Sequence, residues 1–190
     1  MAVAEVFRYW FIALYLLGWS SFIFMLVQMQ TGRGTIEKRT GPLPTPAIVI
    51  PLGVPLVILL THFGEIVVAL PIVRWLAVLL SLYFVVMLPW MMWTLGRFAV
   101  PGAGVYHDHE LISTGPFRFV RHPLYSAVVV LWFSAALGTV NWLLLVLWPV
   151  FVILVALVPV RHEEALLKEK FGAEYERYAA GTARLVPGIW

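Results

Sequence analysis

Five apolar runs, each close to the roughly 20 helical residues that a bilayer core requires, constrain this chain more than any other feature. In lipid, backbone N–H and C=O groups have no water to bind, so runs of this kind must satisfy themselves as helices. Of 190 residues, 62% are hydrophobic and only 12% charged, too little charge for a soluble domain of this length. The chain is therefore expected to be an all-α integral membrane protein of about five transmembrane helices with a cytoplasmic C-terminal amphipathic helical tail. It is read as one membrane domain, with N-terminal spans over 1–95 and a site loop, helical hairpin and tail over 96–190.

The runs are Val6–Met29, a second beginning near Ala47, Arg74–Leu95, Leu124–Val140 and Trp142–Val160. The second contains Pro51, Gly53 and Pro55 and is expected to be kinked or irregular in its first half. His62 and Glu65 blur its far limit; as an i,i+3 pair they read either as a metal half-site or as an interfacial pair on the outer side. Only Asn141 and its neighbours separate the last two runs, which predicts a tight antiparallel hairpin. The first run lacks a basic leader and a small-residue cleavage site, so it reads as a span, not a cleaved signal.

Basic residues orient the bundle. With five spans, eleven of the thirteen Lys and Arg residues fall on one side, in the loop after the first span, in the loop over Gly96–Pro123 and in the tail from Arg161 to Trp190. Only Arg8 and Arg74 fall on the other. The amino terminus is thus expected outside and the tail in the cytoplasm, in a membrane of the prokaryotic inner type. The net charge of +3 follows this topology and does not imply a nucleic-acid partner. The absence of cysteine excludes disulfides, thiolate catalysis and Cys-ligated metals.

Three of the five histidines lie in the segment HDHELISTGPFRFVRHPLY, residues 107–125, where polar chemistry is pressed against a span. Pro123 suits the first turn of a helix, whose free N–H groups attract anions. Arg121 and His122 stand beside that turn, and Tyr125 lies one turn inside. Arg121 alternatively snorkels to lipid phosphates. The hairpin returns Arg161-His162-Glu163-Glu164 to the same face, so two polar clusters converge by topology. As an alternative, Glu164 and Lys168 form an ordinary i,i+4 pair. His107, Asp108 and His109 lack a third ligand, and no metal site is expected. Gly102 and Gly104 do not follow a strand in a Rossmann pattern, so a nucleoside would bind without such a domain. Leu166, Leu167 and Phe171 make the start of the tail amphipathic, and Gly172 ends its first half.

HELISTGPFRFVRHPLYS, followed one hairpin later by RHEEALLKEKFGAEYERY and LVPGIW, resembles the isoprenylcysteine carboxyl methyltransferase family, which is grouped with phospholipid N-methyltransferases. The resemblance covers about Gly96 to Trp190. It implies a cytoplasm-facing pocket for S-adenosylmethionine, closed over by the tail. It assigns cofactor contacts to His109, Glu110, Leu111 and Ile112, to His122, Pro123, Leu124 and Tyr125, and to Glu164. Arg161 is assigned the substrate and is the expected catalytic residue. The family often has tyrosine in a GPY pattern before the RHP motif; this chain has Phe117, so that hydroxyl contact is not carried over. The expected acceptor is lipid-like or a small amphipathic molecule, with membrane lipids as the surroundings. Two other readings stand beside this one, an NADPH-dependent membrane reductase of the sterol-reductase type and a non-catalytic membrane assembly factor.

Overall fold

The computed structural model describes residues 2–31, 36–39, 45–66, 70–98, 104–106, 110–157 and 159–186. Its elements in chain order are α1 (Ala2–Thr31), β1 (Ile36–Arg39), α2 (Thr45–Thr61), α3 (Pro71–Leu95), β2 (Gly104–Tyr106), α4 (Pro123–Gly138), α5 (Trp142–Leu157), α6 (Pro159–Phe171) and α7 (Ala173–Gly181). The helical architecture expected from the sequence is what is observed. Three helices, Ala4–Val27, Pro71–Leu95 and Trp142–Phe171, are long and apolar enough to cross a membrane, and Val49–Thr61 and Pro123–Gly138 are shorter apolar helices.

Helical periodicity explains the packing. On α1, Phe7, Phe11, Leu14, Phe22 and Met25 form one buried stripe, while Val6, Leu17, Ile23 and Phe24 face outward as a lipid-facing side. Gly18 belongs to the buried stripe, and a Cβ there would lie 2.9 Å from Leu52 Cδ2, so its lack of a side chain sets the approach of α2. On α3, Ala77, Ser81, Phe84, Leu88 and Met91 repeat at helical spacing and are buried. This stripe packs on α4, the most extensive helix contact in the molecule. α4 is buried nearly all round. At 16 residues it is only about 24 Å long, shorter than a bilayer core. The Trp132 and Phe151 rings stack at 4.6 Å to join α4 to α5, and Trp132 Nε1 donates to the Leu144 carbonyl at 3.0 Å.

α2 continues as one helix through Pro51 and Pro55, so of the two expected forms it is not the irregular one. Within a bundle, neighbouring helices and local adjustment accommodate the backbone groups that proline leaves free. Its far limit is Thr61, followed by a turn in which His62 and Gly64 take positive φ of 57° and 83°. At this end of the bundle Asn141 is fully buried. Its side-chain nitrogen donates to the Phe63 carbonyl at 2.8 Å, and its oxygen accepts from Leu144 N at 3.0 Å, capping α5. The expected tight hairpin is therefore pinned to the α2–α3 connection. Glu65 lies 3.6 Å from His62 and 3.8 Å from Arg8, so the His62–Glu65 pair closes on an arginine of α1.

At the opposite end, β1 and β2 pair antiparallel, with Ile36 opposite Tyr106 and Arg39 opposite Gly104. This small ribbon, absent from the helical expectation, ties the loop after α1 to the loop after α3. Gly172, at φ +52°, separates α6 from α7 as expected, and Lys168 pairs with Glu176 across that break at 2.7 Å.

The two ends provide a topology test. Asn141 is a poor labelling position because it is buried, but Trp142, its neighbour, is half exposed. In sealed vesicles, Trp142→Cys and Lys168→Cys should label from opposite sides with an impermeant maleimide. Labelling of both from one side would reject the alternating arrangement.

Candidate active site

α4 begins at Pro123 because proline fits the first helical position, where no N–H bond is lost. His122 is the N-cap residue, but its side chain makes no cap bond. Instead the ring faces α6. His122 Nδ1 lies 3.3 Å from Glu163 Oε2, and Nε2 lies 3.4 Å from Glu164 Oε1. The Tyr125 hydroxyl, one turn along α4, donates to Glu163 Oε1 at 2.7 Å. The two glutamates thus divide the work: Glu163 links Tyr125 to His122, and Glu164 links His122 to the arginines.

Glu164 is the hub. It accepts Arg121 Nε at 3.0 Å, Arg184 Nε at 3.0 Å and Arg184 Nη2 at 2.7 Å. Arg121 also donates to the Ala179 carbonyl at 2.6 Å and to the Thr182 carbonyl, so its charge sits at the C-terminus of α7, where a cation is favoured. The tail backbone runs parallel beside the start of α4. Arg121 N donates to the Ala183 carbonyl at 2.8 Å, and His122 N to the Arg184 carbonyl at 3.2 Å. Tyr178 on α7 donates to the Phe117 carbonyl at 2.7 Å, holding the tail over the short turn Gly115–Arg118.

The electrostatics follow from these contacts. Burial disfavours the charged imidazole of His122, but hydrogen bonds and charges from Glu163 and Glu164 outweigh it and raise its pKa. Burial likewise pushes the Glu164 carboxyl up, yet hydrogen bonds from His122, Arg184 and Arg121 bring it down to about 2. The site is a compact set of two carboxylates, two guanidiniums and an imidazole. The side chains of Glu163 and Arg184 remain 19% and 24% exposed, so its rim is open.

Beneath the polar set lies a narrow apolar cleft between the helices. Gly18, Phe22 and Met25 of α1, Leu52 of α2, Phe84 and Leu88 of α3, Val128 of α4 and Phe151 of α5 line it. Tyr125 belongs to both sites. Its ring lines the cleft and its hydroxyl enters the polar cluster.

The residues singled out in the sequence fall into four groups. His122, Tyr125 and Glu164 are brought together, and Pro123 and Leu124 form the turn that presents them, with Leu124 also lining the cleft. Glu110 is exposed, Leu111 and Ile112 are partly buried, and none of the cluster's polar contacts reaches these three. His109, with His107 and Asp108, lies outside the described residues. Arg161 is exposed at the first turn of α6, and none of the cluster's ion pairs uses it. Arg121 binds Glu164 and the Ala179 and Thr182 carbonyls, and Lys168 pairs with Glu176 instead of taking the i,i+4 pair with Glu164. Sequence reasoning missed Arg184, Tyr175 and Tyr178 as members of the site, and it gave Glu163 no separate role. The repeated aromatics of AEYERYAAG, three apart and hence on one helix face, were the available signal for the tyrosines.

A family profile described as phospholipid methyltransferase matches residues 72–174, more than half of the chain. No curated protein matches it.

Proposed function

The chain belongs to the phospholipid methyltransferase family, and from that premise we propose that it transfers a methyl group from S-adenosylmethionine to a lipid-like or small amphipathic acceptor. One observation carries the reading: a charged cluster suited to a water-soluble zwitterion and an apolar cleft suited to a lipid chain share one side chain, Tyr125.

The residues fit the cofactor. A methyl donor with an ammonium, a carboxylate and ribose hydroxyls requires both anionic and cationic partners, and the cluster offers Glu163 and Glu164 beside Arg121 and Arg184. The buried Tyr175 hydroxyl, which has no hydrogen-bond partner among the described residues, marks spare polar capacity in the same region. We assign the donor to His122, Tyr125, Glu163 and Glu164, with residues 109–112 as the flanking segment, and the acceptor to Arg161. When bound, the cofactor supplies a methyl group already activated on a sulfonium. What remains for the protein is alignment and exclusion of water. The charged cluster holds the polar end, the cleft shields the chain of the acceptor, and Tyr125 fixes the boundary between them. All five apolar helices cross the membrane in this reading, with the cluster on the cytoplasmic side.

Equilibrium binding to the full chain in detergent tests it. Binding of S-adenosylmethionine without NADPH supports the reading. NADPH binding alone would make the chain a reductase, and binding of neither would make it an assembly factor. The acceptor side has its own test. Val128→Leu adds bulk to the cleft at a small packing cost, so the concentration of a long-chain acceptor at half-maximal rate should rise about threefold or more, while donor binding is kept. An unchanged acceptor dependence would place the chain of the acceptor elsewhere.

A further inference from the structure

Tyr175 and Tyr178 stand three residues apart on α7, with ring centroids 6.1 Å apart in an edge contact. Their hydroxyls have opposite fates. Tyr178 donates to the Phe117 carbonyl at 2.7 Å, whereas Tyr175, only 4% exposed, has a hydroxyl that meets no hydrogen-bond partner among the described residues. A buried hydroxyl left unpaired is costly and calls for an explanation. Glu164 is near enough for its charge to act on Tyr175, as are Arg121 and Arg184. Glu164, however, is already satisfied by those two arginines and His122. Arg121 of the cluster donates to the Ala179 carbonyl at 2.6 Å, one turn along α7 from Tyr175, so the unpaired hydroxyl belongs to the helix docked on a charged cluster whose members need nothing further from it.

We propose that the Tyr175 hydroxyl donates a hydrogen bond to an oxygen of the bound methyl donor, an inference that rests on the donor reading above. Burial, with the charge of Glu164, raises the phenol pKa, so the group is a neutral donor at physiological pH and its partner is an acceptor oxygen. The residue belongs to the stretch RHEEALLKEKFGAEYERY, directly after Glu174, where the match to the family profile ends. Donor binding thereby becomes coupled to the docking of α7 on the cluster.

The test compares Tyr175→Phe and Tyr178→Phe in the full-length, detergent-solubilised protein, with two readouts: the melting temperature without ligand and the affinity for S-adenosylmethionine. Tyr175→Phe removes an unpaired group, so its ligand-free melting temperature should be unchanged or slightly raised. Its donor affinity should fall about three- to tenfold, the size of one hydrogen bond. Tyr178→Phe breaks a bond that exists without ligand and should lower the ligand-free melting temperature. If the unmodified protein binds no S-adenosylmethionine, the functional reading fails and this inference with it. If it binds, and Tyr175→Phe binds equally well, the inference alone is overturned. A ligand-free melting temperature that drops in Tyr175→Phe as far as in Tyr178→Phe also overturns it, because the hydroxyl then has a structural partner.

Discussion

Replacing Glu164 with alanine should abolish measurable donor binding and also destabilise the ligand-free protein by about 3 kcal/mol, the usual scale for removing one member of a buried ion network. The carboxylate satisfies Arg121, Arg184 and His122 together, and its side chain is only 14% exposed. Without it two guanidiniums and an imidazole are left side by side with Glu163 alone to balance them. Arg121 still caps α7, but the link from α7 through Arg121 to α6 is gone, so the tail should loosen from the bundle. Thermal unfolding in detergent measures the loss. A double-mutant cycle with Arg184→Ala then separates network from ligand effects, since the pair of changes should cost clearly less than the sum of the singles. A melting profile unchanged in Glu164→Ala would mean that the cluster is a set of weak surface pairs, each near the 0–1 kcal/mol typical of exposed ions.

The parts of this network that could be read in advance were those announced by strong local signals. Pro123 after His122 marks a helix start, Asn141 between two apolar runs marks a hairpin, and the hairpin requires Arg121 and Glu164 to share a membrane face. Each depends on backbone chemistry within a few residues. Arg184 was not legible because a lone arginine in TARLV has no periodic context; only the parallel run of the tail beside α4 brings it to Glu164. The division of labour between Glu163 and Glu164 was hidden for a related reason. Neighbours on a helix point about 100° apart, and which one meets Tyr125 depends on the rotation of α6 against α4. The apolar cleft could not be seen either, since it draws on side chains from all five apolar helices. The prolines of α2 do not end the helix: their cost in an isolated helix is real, and bundle packing offsets it.

Arg161→Ala should reduce methyl transfer by about two orders of magnitude, equivalent to roughly 2–3 kcal/mol, while leaving S-adenosylmethionine binding intact. The expectation follows from contrast with the other arginines at this end. Arg121 and Arg184 are committed to Glu164, whereas Arg161 stands exposed at the start of α6, where the apolar helix α5 gives way to polar chain. It precedes Glu164 by three residues, so the two are neighbours on one helix face. A guanidinium at that depth can reach the polar end of an amphipathic molecule whose chain lies in the cleft, and its planar fork suits a carboxylate or phosphate. Arg161→Lys should rescue poorly on such an acceptor, because a point charge does not reproduce bidentate alignment. On an amine or a thiol without a neighbouring anion, the lysine variant should retain most of its rate. Rates of both variants on lipid acids, phospholipid amines and thiols, beside their donor-binding isotherms, therefore report the role of the residue and the class of acceptor together. Full activity of Arg161→Ala on every one of these acceptors would remove Arg161 from the substrate site.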